Sequence, residues 1–215
     1  MFDLLEILYQ LQKKRPVFHS EADFQHSLAW EIHERFPTYS MRLEYPLQPG
    51  QPEHLDIFVF NQGEALAIEL KYKTALLFSI VNKELYSLKN HSAQDCGRYD
   101  FVADIERLER FVRENGKATG YAILLTNDSS YWNLPRDKDC VDAKFRVHEG
   151  RTLGGLLSWH ASASKGTTRG REKPLSITGT YGLHWQDYSE IEVNTNTRDH
   201  RQFRQLVVNI NRRRI

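Results

Sequence analysis

Apolar residues recur at helical spacing at Leu4, Leu5, Leu8 and Leu11, which predicts an amphipathic helix over residues 3–14. Asp3, with Glu6 three residues on, has the pattern of a capping box. A second helix is expected from Ser20, whose side chain can cap the turn Glu21-Ala22-Asp23, to about Arg35. Pro37 closes it. Three extended segments follow at 40–47, 54–60 and 65–73, and a hairpin or loop covers 74–93. Asp100 to Asn115 carries Phe101, Ile105, Leu108 and Val112 on one helical face and stops at Gly116. Tyr121 to Thr126 is a short continuous apolar run, the pattern of a strand covered on both faces. Later strands are expected at 143–148, 175–181 and 203–210. The small, polar, basic stretch 161–173 is expected to be a flexible loop.

This order of helix, three strands, helix and strand predicts an α/β fold, a mixed central sheet flanked by helices, with additional C-terminal strands. At 215 residues, the chain suits a single domain. Its core is expected at about 18–128, with a β-rich extension over about 129–215. No apolar run approaches the roughly 20 residues that span a bilayer, and the acidic N-terminal stretch does not have the pattern of a signal peptide. Cys96 and Cys140 set neither a disulfide framework nor a metal-ligand spacing. These features predict a cytoplasmic protein with reduced thiols and no membrane partner. The net charge of +1 does not announce a nucleic-acid binder. Basic residues nevertheless cluster at Lys13-Lys14-Arg15, between Lys165 and Lys173, and at Arg212-Arg213-Arg214.

The segments His54–Phe60 and Ala65–Lys71 flank a short turn containing Gly63, and so predict a hairpin. A turn centred on Gln62-Gly63 sets Leu55 opposite Leu70, Ile57 opposite Ile68 and Val59 opposite Leu66, making one face aliphatic. A slip of one residue would mix the faces. The same register sets Asp56 opposite Glu69, with Lys71 two residues on and on the same face. Opposed like charges destabilise a hairpin unless positive charge sits between them. Lys71 offsets one charge; a divalent cation offsets more, and paired oxygens are what Mg²⁺ accepts. The plain alternative is an exposed Glu-Lys pair on an edge strand. On the second helix, with Glu21 as zero, Phe24 lies at about 300°, Leu28 at about 340° and Ile32 at about 20°. Glu21 is therefore centred on the core-facing arc, where a carboxylate is unusual unless paired or coordinating.

Asp56, then Glu69-Leu70-Lys71 in Ala-Ile-Glu-Leu-Lys-Tyr-Lys, with Glu21 from the first core helix, resembles the PD-(D/E)XK nuclease superfamily. The resemblance covers about half the chain, from 21 to 126, and implies a restriction-endonuclease-like α-β-β-β-α-β core. Leu55 stands where the pattern has its name-giving Pro. A second acid-x-Lys, Asp142-Ala143-Lys144, lacks an aliphatic strand and an acidic partner strand. The segment from Leu88 to Asp100 is similar to one in bacterial members. The resemblance implies a Mg²⁺- or Mn²⁺-dependent phosphodiesterase, a deoxyribonuclease of restriction or repair type acting on double-stranded DNA, and allows a homodimer. Asp56, Glu69, Lys71 and Glu21 would be its catalytic residues. Asp56, Glu69 and Glu21 would hold the metal, with a main-chain carbonyl near Leu70. Lys73, Gln94 and Tyr99 are candidates for supporting contacts around the site, Gln94 and Tyr99 resembling a Gln/Tyr motif at a different spacing. Lys165, Arg169, Arg171 and Lys173 are candidates for contacting phosphates. The alternative function is an inactive nuclease-like fold that binds nucleic acid or another protein. A His-based hydrolase is disfavoured: His19, His26, His33, His148 and His184 show no metalloprotease spacing, and no Gly-x-Ser-x-Gly occurs.

Overall fold

In the computed structural model, which describes residues 3–48, 50, 52–135, 137, 139–192, 200–213 and 215, Asp3 opens the first helix, α1 (Leu4–Lys14). Its Oδ1 accepts from the amides of Leu5 (3.0 Å) and Glu6 (3.3 Å). The reciprocal half of the capping box does not form, because Glu6 is engaged by Gln10 Nε2 at 2.7 Å. Ile7, not Leu5, completes the buried stripe with Leu4, Leu8 and Leu11. Helix α2 (Glu21–Arg35) starts at Ser20 as expected, with Ser20 Oγ accepting from the Asp23 amide at 3.1 Å.

Strands β1 (Ser40–Pro46), β2 (His54–Phe60) and β3 (Ala65–Lys73) follow. A small hairpin, β4 (Leu77–Val81) and β5 (Glu84–Leu88), turns through Asn82 and Lys83, both at positive φ. Then come α3 (Gln94–Glu114), β6 (Ala118–Thr126), β7 (Thr152–Leu157), a short helix α4 (Lys165–Thr168), β8 (Leu175–Gly182), β9 (Trp185–Glu190) and β10 (Gln202–Ile210). The central sheet is ordered β1-β2-β3-β6-β10-β9, with β3 and β6 parallel and every other neighbouring pair antiparallel. It is thus a mixed sheet flanked by helices, and strands from beyond residue 129 extend it on the β6 side.

One face of the sheet packs on α1 and α2, where Leu8, Phe24, Leu28 and Ile32 meet Ile57, Val59, Leu66, Ile68, Leu70, Ile123 and Leu125. The other packs on α3 and the β7–β8 hairpin, where Phe101, Ile105, Leu108 and Val112 meet Ala67, Ala122, Leu124, Leu206 and Val208. Strand β6 feeds both cores by alternation, as its continuous apolar run implies.

Three expectations are corrected. Residues 143–148 are not a strand. Phe145 and Val147 are buried and Arg146 is not, which mimics strand alternation, but no neighbouring strand reaches them. A single 3₁₀ turn at Ala143–Phe145 follows Asp142, which Arg98 and Arg146 clamp at 2.7 and 3.1 Å. Helix α3 begins six residues early, at Gln94. Gly97 in this extra turn hides the helical signal but is required there, since a Cβ would lie 2.3 Å from the Tyr131 hydroxyl. Within 161–173, Ser164 caps α4 by accepting from the Thr167 amide. Arg214, of the C-terminal basic run, lies outside the described residues. No helix among the described residues is long and apolar enough to cross a membrane.

Candidate active site

The hairpin register is the expected one from Phe60–Ala65 to Ile57–Ile68, and there the β2–β3 ladder stops. Continued regularly, it would bring Leu70 to Leu55. Instead the Leu70 amide donates to Asp56 Oδ2, and the Tyr72 amide donates to Glu21 Oε2, each at 2.7 Å. Alternate residues of a strand send their amides to the same side. Two carboxylates therefore stand where the carbonyls of a neighbouring strand would have been. On its other edge β3 stays paired with β6, from Glu69–Ala122 to Lys73–Thr126. The result is an opening between β2 and β3 whose rim is acidic.

Packing around Asp56 explains the break. Glu44, which lies across from Asp56 on β1, has a φ of 50°, a left-handed conformation uncommon outside glycine. Gln25 Nε2, from α2, donates at 2.7 Å both to Glu44 Oε1 and to the Asp56 carbonyl. Strand alternation fails at this point. Leu55 packs into the α3-side core, while Ile57, Val59, Leu66, Ile68 and Leu70 stay under α1 and α2. The expectation that Leu55 shares their face, with Asp56 and Glu69 as ladder partners, is corrected accordingly.

Helix α3 supplies two side chains that were not among the sequence candidates. Arg107 Nη1 lies 2.7 Å from Glu69 Oε1 and 3.1 Å from Asp104 Oδ1, and Lys71 Nζ lies 2.7 Å from Asp104 Oδ2. Lys71 Nζ also approaches the Leu70 carbonyl at 3.4 Å. A signal for Asp104 existed in the helix phase. With Phe101 as zero, Asp104 lies at about 300°, between the buried Phe111 at about 280° and Leu108 at about 340°, so it is a carboxylate at the edge of the apolar face, flanked by apolar residues.

The electrostatics follow from burial and crowding. Glu69 and Asp104 are 2% and 3% exposed. Four carboxylates, those of Glu21, Asp56, Glu69 and Asp104, face two cations, Lys71 and Arg107. Burial, with repulsion from Asp104 and Glu21, pushes the Asp56 carboxyl up to about 6 against the pull of Lys71 and the Leu70 amide. Burial and the neighbouring Asp104 and Asp56 raise Glu69 well above the usual carboxylate range. Burial works to lower Lys71, but Asp104, Asp56 and Glu21 outweigh it and hold the ammonium above its ordinary range. The site is short of positive charge, and its lysine stays protonated.

The other sequence candidates lie around this cluster. Lys73 runs beside the first turn of α3, its Cε near Gly97. Gln94 donates to Asp128 Oδ2 at 2.9 Å, and the Tyr99 hydroxyl donates to the Lys173 carbonyl at 2.8 Å. Both brace α3 against loops, and neither bonds to Glu21, Asp56, Glu69 or Asp104 among the described residues. His19 turns away to Glu84 (2.8 Å) and stacks on Tyr86. The basic loop divides: Arg171 forms a two-pronged pair with Asp100 and Lys173 reaches Glu106, whereas Lys165 and Arg169 are exposed with no ion pair among the described residues. Asp142 of the second acid-x-Lys is consumed by Arg98 and Arg146. A surface depression of about 940 Å³ lies at the turn end of the β2–β3 hairpin and contains none of these groups. Among the described residues no three His, Cys, Asp or Glu side chains are grouped as a ready-made metal cage. No protein-family model, curated protein or solved structure matches this chain, so the functional case rests on the residues themselves.

Proposed function

We propose that this chain is a metal-dependent nuclease of the PD-(D/E)XK type that hydrolyses phosphodiester bonds of double-stranded DNA, with α2, β1–β3, α3 and β6 as its restriction-endonuclease-like core. One observation carries the reading: the β2–β3 ladder opens at Asp56, where four carboxylates gather around the ion-paired Lys71 and Arg107 among the described residues. Hard oxygen donors short of positive charge suit Mg²⁺ or Mn²⁺. Asp56 and Glu69 would hold the ion, since Asp56 Oδ1 and Glu69 Oε2 carry no hydrogen bond from the described residues. The Leu70 carbonyl, 3.4 Å from Lys71 Nζ, is a further candidate donor, and Glu21, with one oxygen committed to Tyr72, borders the set. When bound, the ion lowers the pKa of a water and neutralises charge on the scissile phosphate.

The chain's own residues supply the rest. Lys71, held as an ammonium, is a poor base and a good point charge for the oxygens of the pentavalent state. Asp104 fixes that ammonium from the helix side. Asp56 and Glu21 keep β3 apart from β2 by occupying its free amides, so the opening persists without a ligand.

Plasmid incubated with Mg²⁺ or Mn²⁺ should be nicked or degraded, and EDTA should stop it. Cleavage that survives both Lys71→Ala and Asp56→Asn overturns the reading. The Arg107–Glu69 pair favours one alternative, a non-cleaving nucleic-acid-binding module, because it occupies a carboxylate the metal would use. Duplex binding without cleavage under any divalent ion selects that alternative.

A further inference from the structure

Arg107 is a cation on a short tether. Its Nη1 bridges Glu69 Oε1 (2.7 Å) and Asp104 Oδ1 (3.1 Å), the latter one turn back on the same helix. Its buried Nε has no hydrogen-bond partner, yet 22% of the side chain is exposed. Lys71 differs: it is closed in against the second oxygen of Asp104, with 16% of its side chain exposed. We propose that Arg107 is the counter-cation of Glu69 in the metal-free protein, and that it becomes a ligand of the substrate's phosphate once a divalent cation takes Glu69.

The inference rests on the metal-dependent reading and deepens it. A dication bound to Glu69 repels a guanidinium sharing the same carboxylate, and the repulsion is strong where water is scarce. Displaced, Arg107 is still held near the opening by Asp104 at i−3. Its planar fork then has unused donors, and that fork matches the geometry of phosphate oxygens better than an ammonium does. Arg107 would thereby link cation binding to substrate binding: in the metal-free protein it occupies a carboxylate of the open site, and metal binding releases it toward DNA.

The test is calorimetric titration with Ca²⁺, which has no need of turnover, on the full chain, on Arg107→Met and on Arg107→Lys at pH 8. A phosphorothioate duplex is then titrated in saturating Ca²⁺. Removing the competitor should tighten Ca²⁺ binding by Arg107→Met on the order of tenfold. The same variant should bind duplex several-fold more weakly, with a salt slope reduced by about one. Arg107→Lys keeps the competing charge, so its Ca²⁺ affinity should stay near that of the parent while its duplex affinity falls. If Arg107→Met fails to fold, Arg107→Lys decides alone, and duplex affinity equal to the parent's overturns the proposal. Equal Ca²⁺ binding by the parent and Arg107→Met overturns the role of Arg107 and leaves the metal site standing. No Ca²⁺ binding by any of the three overturns both.

Discussion

Helix α3 buries two carboxylates five residues apart, and they are treated in opposite ways. Among the described residues Glu109, 1% exposed, accepts from neutral donors: the Thr178 amide and hydroxyl, the Gly179 amide and the Tyr181 hydroxyl, at 2.7–2.8 Å. It ties α3 to β8, and each of its oxygens is saturated by structure. Asp104, 3% exposed, meets two cations and is crowded by the charges of Glu69 and Asp56 across an open strand edge. Both are buried acids on one helix, so burial alone does not mark a site. What differs is whether the partners use up the charge or leave an imbalance that a ligand can relieve.

The largest expected effect breaks the first half of this comparison. Glu109→Ala takes the acceptor from four donors, of which the Gly179 amide and the Tyr181 hydroxyl are buried, and should cost about 3–5 kcal/mol, lowering the melting temperature by more than about 6 °C. Residual folded protein should cleave normally. Asp104→Asn tests the other half. It removes the anchor of Lys71 but also relieves repulsion on Glu69, and these oppose each other in stability. Cleavage should fall about 10²-fold, while the melting temperature moves by less than half as much as in Glu109→Ala. An Asp104→Asn protein that is as unstable as Glu109→Ala and still cleaves would make both acids structural.

The sequence exposed one part of this site and hid the other for a physical reason. Three aliphatic pairs across β2 and β3, of which Leu55–Leu70 does not form, admit one hairpin register, so Asp56, Glu69 and Lys71 are readable from local pattern. The phase of α2 likewise picked out Glu21. Asp104 was readable by the same phase argument on α3, but its partners were not, because the Arg107–Glu69 contact joins a helix to a strand 38 positions away. The flip of Leu55 depends on Gln25 reaching Glu44 and the Asp56 carbonyl, a tertiary arrangement with no trace in strand alternation. Strand β7 was missed because Gly154 and Gly155 dilute its apolar pattern. Gly154 is needed there, since a Cβ would stand 2.8 Å from the Gly179 carbonyl.

The charge imbalance also predicts a pH dependence. Asp56 has a folded pKa of about 6 against an ordinary 3.8, so between these values the folded state binds more proton than the unfolded one. Stability therefore falls as pH rises through that window, and the full cost is present above it. Asp56→Asn removes the cost and can still accept from the Leu70 amide. It should be the more stable protein at pH 8, by up to about 3 kcal/mol, with the advantage fading toward pH 4. Saturating Ca²⁺ should erase or reverse that advantage, because it stabilises the parent only. Melting curves across pH with and without Ca²⁺ decide it; a constant offset at all pH values would remove Asp56 from the charge imbalance.

The smallest effect concerns the basic loop, where the same distinction between used and unused charge recurs at the surface. Arg171 and Lys173 are paired with Asp100 and Glu106 on α3, whereas Lys165 and Arg169 are exposed without an ion pair among the described residues. Only unpaired cations release counterions from DNA at full effect. Neutralising Lys165 and Arg169 together should weaken duplex binding several-fold and lower the salt slope by up to about two. Neutralising Arg171 and Lys173 should leave the slope nearly unchanged. Its cost should appear instead as a loss of about 1 kcal/mol or less in stability, since these pairs are partly exposed. Equal slopes for the two double variants would show that the loop's ion pairs open on binding, and that the division between its spent and unspent charge does not survive contact with DNA.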